Sequence, residues 1–159
     1  MPVMPDLRIK QIEERDLRPL ERFLLSQDLG YPNYNSWITK TCLPELYFGS
    51  KKGCTAYANG IVIADVIVQP HKELPKTLEI KNMRVDKGFR RRDIAHFLMK
   101  QAEVYARQEG YGQIIADFRA GKDYSAGILN LILFCGFSIL GKSELYHDGF
   151  LDYAIVRKL

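Results

Sequence analysis

The chain has 159 residues, 47% of them hydrophobic and 26% charged, and a formal net charge of +4. This length and balance fit one folded domain and exclude a disordered chain. Its three cysteines, Cys42, Cys54 and Cys135, include no Cys-x-x-Cys pair, which excludes a disulfide framework and a zinc knuckle.

Met1 to Asp6 shows no cationic, apolar targeting segment, and no apolar run reaches membrane-spanning length, so the expected location is cytoplasmic. Leu7 to Ile12 alternates apolar and polar residues, the period of a half-buried strand. Asp16 opens a helical pattern in which Leu17, Leu20, Phe23 and Leu24 share a face, and Gly30 and Pro32 close it. Tyr31 to Leu46 is aromatic; Trp37, Ile38 and Leu43 predict a second short helix before Pro44. Cys54 to Ala58 and Ile61 to Val68 read as strands joined at Asn59-Gly60, a hairpin signal because both turn residues need positive φ. Gln69 to Pro75 is a polar loop that carries His71.

Leu78 to Val85 is an apolar-rich run of strand length, followed by a basic turn from Asp86 to Arg92. A helix is expected from about Asp93, a good N-cap residue, to Glu109, with Gly110 as its stop. Gln113 to Phe118 predicts a short strand, and Asp123 to Cys135 a very apolar helix buried on two sides. Phe137 to Leu140 with Leu145 and Tyr146 predicts the next strand, and Gly149 a turn into a last strand, Leu151 to Val156. The order predicts a mixed sheet with helices on its faces.

The stretch from Leu78 to Gly110 organises the rest. A strand, a basic loop and a helix start bring free backbone N–H groups and the positive end of a helix dipole to one place. Lys87, Arg90, Arg91 and Arg92 add four cationic side chains there. A phosphate-bearing cofactor fits such a junction. The aromatic interleaving or fold signature of a nucleic-acid module is absent from the sequence.

Arg90-Arg91-Arg92-Asp93-Ile94-Ala95 resembles the Arg/Gln-x-x-Gly-x-Gly/Ala signature of the GNAT acetyltransferases, which binds the pyrophosphate of acetyl-CoA. Glu79 to Val85 resembles that family's fourth strand, and Cys135-Gly136-Phe137-Ser138 the Gly-Phe after its last helix. The resemblance spans about Leu7 to Leu159. It implies a single α+β domain with a mixed sheet of about seven strands and about four helices. It implies an N-acetyltransferase that uses acetyl-CoA as co-substrate, without a metal, by direct attack of an amine in a ternary complex.

The same resemblance distributes roles. Met83, Arg84 and Val85 would meet the pantetheine arm through their backbone, and Arg90, Arg91, Arg92, Asp93, Ile94 and Ala95 would hold the pyrophosphate. Ser125 stands where many relatives have an asparagine. Glu79 matches the catalytic glutamate of the histone acetyltransferase branch. Tyr31, Tyr34 and Trp37 are candidate walls of the acceptor pocket, or alternatively part of a helix that covers the sheet. The acceptor would be a small-molecule or protein amine, and a homodimer would be in keeping with the family; neither a membrane nor nucleic acid is expected as partner.

Two positions depart from the pattern. Asp93 stands where the central glycine is expected, which sets a carboxylate beside the pyrophosphate. Ile132 stands where a proton-donating tyrosine is frequent; Tyr124, Tyr146, His96 and His147 are the alternative donors. Together the departures allow a second reading, a catalytically degenerate domain that binds CoA or a protein partner.

Overall fold

The strand Ile61–Pro70 is buried along its length except at its two ends, because helices cover both faces of the sheet around it. The computed structural model describes residues 6–27, 31–90, 93–119, 125–145 and 151–159, with 125–129 in backbone alone. The strands are β1 (Leu7–Gln11), β2 (Lys52–Ala58), β3 (Ile61–Pro70), β4 (Thr77–Val85), β5 (Gln113–Arg119), β6 (Ser138–Ser143) and β7 (Asp152–Lys158). The helices are α1 (Leu17–Leu25), α2 (Tyr34–Trp37), α3 (Leu43–Phe48), α4 (Ile94–Gln108) and α5 (Ser125–Phe134). The strands form one sheet in the order β1-β2-β3-β4-β5-β7-β6, antiparallel except between β4 and β5. This is the mixed α+β architecture expected from the sequence.

Each face has its own core. On one, Ala64, Val66 and Val68 of β3 pack with Ile94, Leu98, Met99, Ala102 and Ala106 of α4. Those α4 positions recur at helical spacing, which is why this segment can lie flat on a sheet. On the other face, Leu20, Phe23 and Leu24 of α1 pack with Ile38, Cys42 and Ile67. The β2–β3 turn has the expected geometry, with Asn59 at φ 49° and Gly60 at φ 79°.

Several boundaries differ from the expectation. The first helix starts at Leu17, since Asp16 closes a preceding 3-10 turn and its carboxylate accepts from the Glu13 N–H at 2.8 Å and the Tyr57 hydroxyl at 2.5 Å. Pro44 does not end the second helical segment. A π-helical turn, Ile38–Cys42, joins α2 to α3, with the Leu43 N–H bonded to the Ile38 carbonyl five residues back. Pro44, which has no N–H to donate, falls in the first turn of α3. The sixth strand is Ser138–Ser143: an irregularity between Ile139 and Gly141 keeps it in register with β7, and Leu145 lies in a turn. Tyr146 and Gly149 fall outside the described residues, as do Gly30 and Asp123. Among the described residues, no helix is long and apolar enough to cross a membrane.

Candidate functional site

The sheet opens between its two parallel strands. Thr77, Leu78, Glu79 and Ile80 of β4 pair with Gln113, Ile114, Ile115 and Ala116 of β5. Beyond Ile80 the pairing stops, while β4 continues to Val85 and β5 to Arg119. A bulge in β4 coincides with the parting: Val68 faces Ile80 and Ile67 faces Asn82, which leaves Lys81 as the extra residue. Such a bulge bends its strand and sharpens its twist. Met83, Arg84 and Val85 thus have β3 behind them and a wedge in front. The Met83 carbonyl accepts from the Arg84 guanidinium at 3.0 Å, and the Val85 carbonyl from Arg90 Nε at 3.1 Å.

The described part of the basic loop, Asp86 to Arg90, follows directly on β4 at the end where the strands have parted. The Asp86 carboxylate accepts from the Gly88 N–H at 2.9 Å and caps a short turn, Lys87–Phe89. The helix then begins at Ile94, and Asp93 is not the expected side-chain cap. It lies in the left-handed region at φ 60°, exposed, and makes no capping bond. That is the backbone conformation a glycine would take at little cost, and aspartate is among the few other residues that enter it with some ease. The first ladder bond of α4 runs from the Phe97 N–H to the Asp93 carbonyl at 3.0 Å. The N–H groups of Ile94 and Ala95, ahead of it in the first turn, are therefore free of intrahelical partners. Arg91 and Arg92 lie outside the described residues; Ser125 opens α5.

Polar side chains gather on the α1–α3 face at the point of parting. Glu79 takes a hydrogen bond from Gln69 Nε2 at 3.2 Å and an ion pair from Lys81 at 3.1 Å. Asp117, on β5, shares this face with Glu79. Partial burial, and then the Glu79 charge, push the Asp117 carboxyl above the usual carboxylate range. Asp117 keeps solvent exposure, so water screens part of both effects. Deeper on the face, Asp65 is fully buried and accepts from Asn82 Nδ2 at 2.8 Å. Burial pushes its carboxyl up to about 7 against the opposing pull of Asn82 and Arg84. Arg84 lies across the strand pair from Asp65. Its guanidinium sits over the rings of Tyr31 and Tyr34, 5.6 and 5.5 Å from their centroids. Arg119 lies over the Tyr31 ring at 4.7 Å and pairs with Asp152, both buried, at 3.4 Å.

The structure separates the three aromatic candidates. Tyr31 stands beside Arg84 and Arg119, at the wedge. Tyr34 is buried, its hydroxyl donates to the Leu24 carbonyl at 3.0 Å, and burial pushes its phenol to about 12. Trp37 packs against the same core as Tyr34. The Ile132 side chain is 3% exposed and sits in the opposite core. His96 lies 3.6 Å from Cys135 Sγ and against the Phe134 ring, beside a cavity of about 320 Å³ between α4 and the end of α5. His71 organises its own loop by accepting from the Glu73 and Leu74 N–H groups. Tyr124 and His147 fall outside the described residues. Among those described, no group of three His, Cys, Asp or Glu side chains could hold a metal ion.

Four side chains near the wedge were not singled out from sequence: Asp65, Gln69, Asp117 and Arg119. A signal existed for two of them, because Asp65 interrupts the apolar run Ile61 to Val68 and Asp117 interrupts Ile114 to Phe118.

Residues 11–128 match the family described as "Acetyltransferase (GNAT) family". Among curated proteins, nothing matches the chain. Among solved structures, the fold is similar to a GNAT-family acetyltransferase from Desulfovibrio desulfuricans, with TM-score 0.81, 13% identity, and coverage of 96% of this chain and 98% of that one. It is also similar to the ribosomal-protein-S18-alanine N-acetyltransferase of Escherichia coli, with TM-score 0.76, 17% identity, and 96% and 93% coverage. The PaiA N-acetyltransferase of Thermoplasma acidophilum, solved in complex with coenzyme A, gives TM-score 0.73, 12% identity, and 97% and 99% coverage. At these identities the likeness is one of fold.

Proposed function

Because the chain belongs to the GNAT acetyltransferase family, we propose that it transfers the acetyl group of acetyl-CoA to an amine by direct attack in a ternary complex, with Glu79 as the base. The observation that carries this reading is the parting of β4 and β5 beneath Glu79 and Asp117, with the basic loop at its open end. The left-handed Asp93 also supports a fit to CoA, since the backbone there bends as a glycine would let it.

When bound, acetyl-CoA supplies an acetyl group activated as a thioester. Arg90, with Arg91 and Arg92, offers positive charge to its pyrophosphate, and the free N–H groups at Ile94 and Ala95 offer hydrogen bonds. The backbone of Met83, Arg84 and Val85 lies along the wedge for the pantetheine arm; Ser125, which opens α5, is assigned to the same cofactor by its position in the sequence pattern. The acceptor nitrogen must lose a proton to attack, and Glu79 accepts it, directly or through one water. Asp117 shares the face of Glu79, and burial followed by the Glu79 charge raises its proton affinity. Tyr31, Tyr34 and Trp37 belong to the acceptor side, Tyr31 as the wall and the other two as its support. The acceptor is a small-molecule or protein amine.

A second reading is a domain that binds CoA or a protein without catalysis. The buried Ile132 favours it, because no proton donor stands at that position. Titration calorimetry with acetyl-CoA, followed by a screen of amines with Glu79→Gln as control, separates the two. Micromolar binding and an amine-dependent turnover that falls ~10²-fold or more in Glu79→Gln support the enzyme. Binding without turnover on any amine supports the second reading, and absence of binding removes the enzyme and the CoA-binding domain, leaving a domain that binds a protein partner.

A further inference from the structure

Glu79 does not stand alone on its strand; it is the end of a polar chain that reaches across the sheet face from α3. Lys51, directly before β2, is 3% exposed, and its ammonium is paired with the Glu45 carboxylate of α3. The two residues are tied a second time by the Lys51 N–H, which donates to the Glu45 carbonyl at 3.1 Å. The same ammonium donates to Gln69 Oε1 at 2.7 Å. Gln69 lies at the end of β3, 9% exposed and in register with Glu79. Its Nε2 donates to Glu79 Oε2 at 3.2 Å.

The order of donors and acceptors allows one arrangement only. An ammonium has donors and no acceptor, so the Gln69 atom facing Lys51 must be the carbonyl oxygen. The amide nitrogen must then face Glu79. Lys51 and Glu79 select the same orientation from opposite ends of the amide, and without Lys51 only the Glu79 bond would hold it there. The buried cation thereby helps to fix the direction of a neutral side chain, and that side chain fixes the carboxylate. The groups facing Glu79 are Gln69 from β3, Lys81 from its own strand and Asp117 from β5. Lys81 holds Oε1, so each carboxylate oxygen has one fixed partner and spare accepting capacity.

The geometry points to Gln69 and Lys51 as positioning residues that act on the reaction through Glu79, with Glu45 as the counter-charge that permits a buried lysine. This inference rests on the reading of Glu79 as base and adds the residues that aim it. A misplaced base loses much of its advantage even when it is present, so the effect falls on turnover and leaves acetyl-CoA affinity unchanged.

The test is a double-mutant cycle on kcat, with acetyl-CoA affinity and thermal midpoint measured for each variant. Gln69→Leu and Lys51→Met are expected to lower kcat about 10- to 100-fold with acetyl-CoA affinity intact. Lys51→Arg, which keeps a donor for Gln69, is expected to restore most of the loss. In the Glu79→Gln background, Gln69→Leu should have little further effect, because residues that act as one unit are not additive. Purely structural roles would instead multiply the losses in the double variant and track the thermal midpoint, and that result would overturn the inference while leaving Glu79 as base. If Glu79→Gln alone retained full activity, the base assignment would fall, and the positioning role with it.

Discussion

Glu79 faces Ile115 across the parallel strand pair, and Asp117, two residues further on, shares its face at the point where the strands part. Burial and the Glu79 charge raise the proton affinity of Asp117 together. Replacing Glu79 by Gln removes one like charge. The Asp117 carboxyl in Glu79→Gln is therefore expected to titrate at lower pH than in the wild type. Carbon-detected titration of the aspartate carboxyls checks this; an unmoved midpoint would mean that the two groups do not sense each other.

Asp93 occupies a glycine-type backbone conformation without being glycine. The left-handed region costs a residue with a Cβ roughly 1 kcal/mol, and part of that gain is offset by the greater freedom of glycine in the unfolded chain. Asp93→Gly should therefore be neutral or raise the thermal midpoint by about 2–4 °C, whereas Asp93→Val should lower it. The same change removes a negative charge beside the expected pyrophosphate site. Acetyl-CoA affinity should rise by up to about tenfold, or ~1.4 kcal/mol, measured by calorimetry at low salt. Unchanged affinity would show that the carboxylate points away from the ligand.

Asp65 is fully buried, with its proton affinity raised to about 7. A carboxyl whose pKa is raised on folding favours the folded state below its unfolded value. That contribution is lost as pH climbs through the folded value. Stability should thus decline between about pH 4 and about pH 7 by an amount on the order of 4 kcal/mol from this group at most. Asp65→Asn should flatten that decline. Urea midpoints of both proteins at about pH 5 and about pH 8 decide it, and an equal decline in the variant would assign the pH dependence elsewhere.

Arg119 and Asp152 form an ion pair whose side chains are each 1% exposed. Asp152→Ala leaves a buried guanidinium without its carboxylate and should cost about 3–5 kcal/mol in chemical denaturation. Replacing both by apolar residues of similar size should recover most of that loss. Tyr31 rests against Arg119, so the single variant should also perturb the aromatic wall of the wedge. A fluorescence or NMR probe of Tyr31 that stays constant would contradict that link.

The elements most legible in the sequence are those whose local chemistry and tertiary setting agree. The Asn59-Gly60 turn, the bounds of α4 and the strand-loop-helix order all read directly from spacing and turn residues. The π-helical turn at Ile38–Cys42 does not, because it depends on how α2 and α3 seat together on the sheet, and nothing local demands an extra residue there. Asp93 shows both sides of this. Its place at the glycine position is legible, and the left-handed backbone agrees with it; the side-chain cap usual for aspartate before a helix does not form at that backbone angle. Asp65 and Gln69 belong to the less legible part, and Gln69, expected to open a polar loop, lies instead in β3, which runs on to Pro70. A polar residue in a strand normally points to water, but both faces of β3 are covered, so these side chains face inward and must find partners there.

The short pairing between β4 and β5 makes the sheet mechanically uneven. Strands β1 to β4 form one panel and β5, β7 and β6 another, joined along a seam of four register pairs. Past that seam no register pair ties the two panels, and α4 lies across the joint as a brace, packed on β2, β3, β4 and β5. A ligand arm lodged between them would act as mortar, and its imprint should reach well beyond its own contacts. The amides of Asn82–Val85 and Asp117–Arg119 should exchange with solvent faster than those of β3 in the free protein and slow together, as one unit, when the gap is filled.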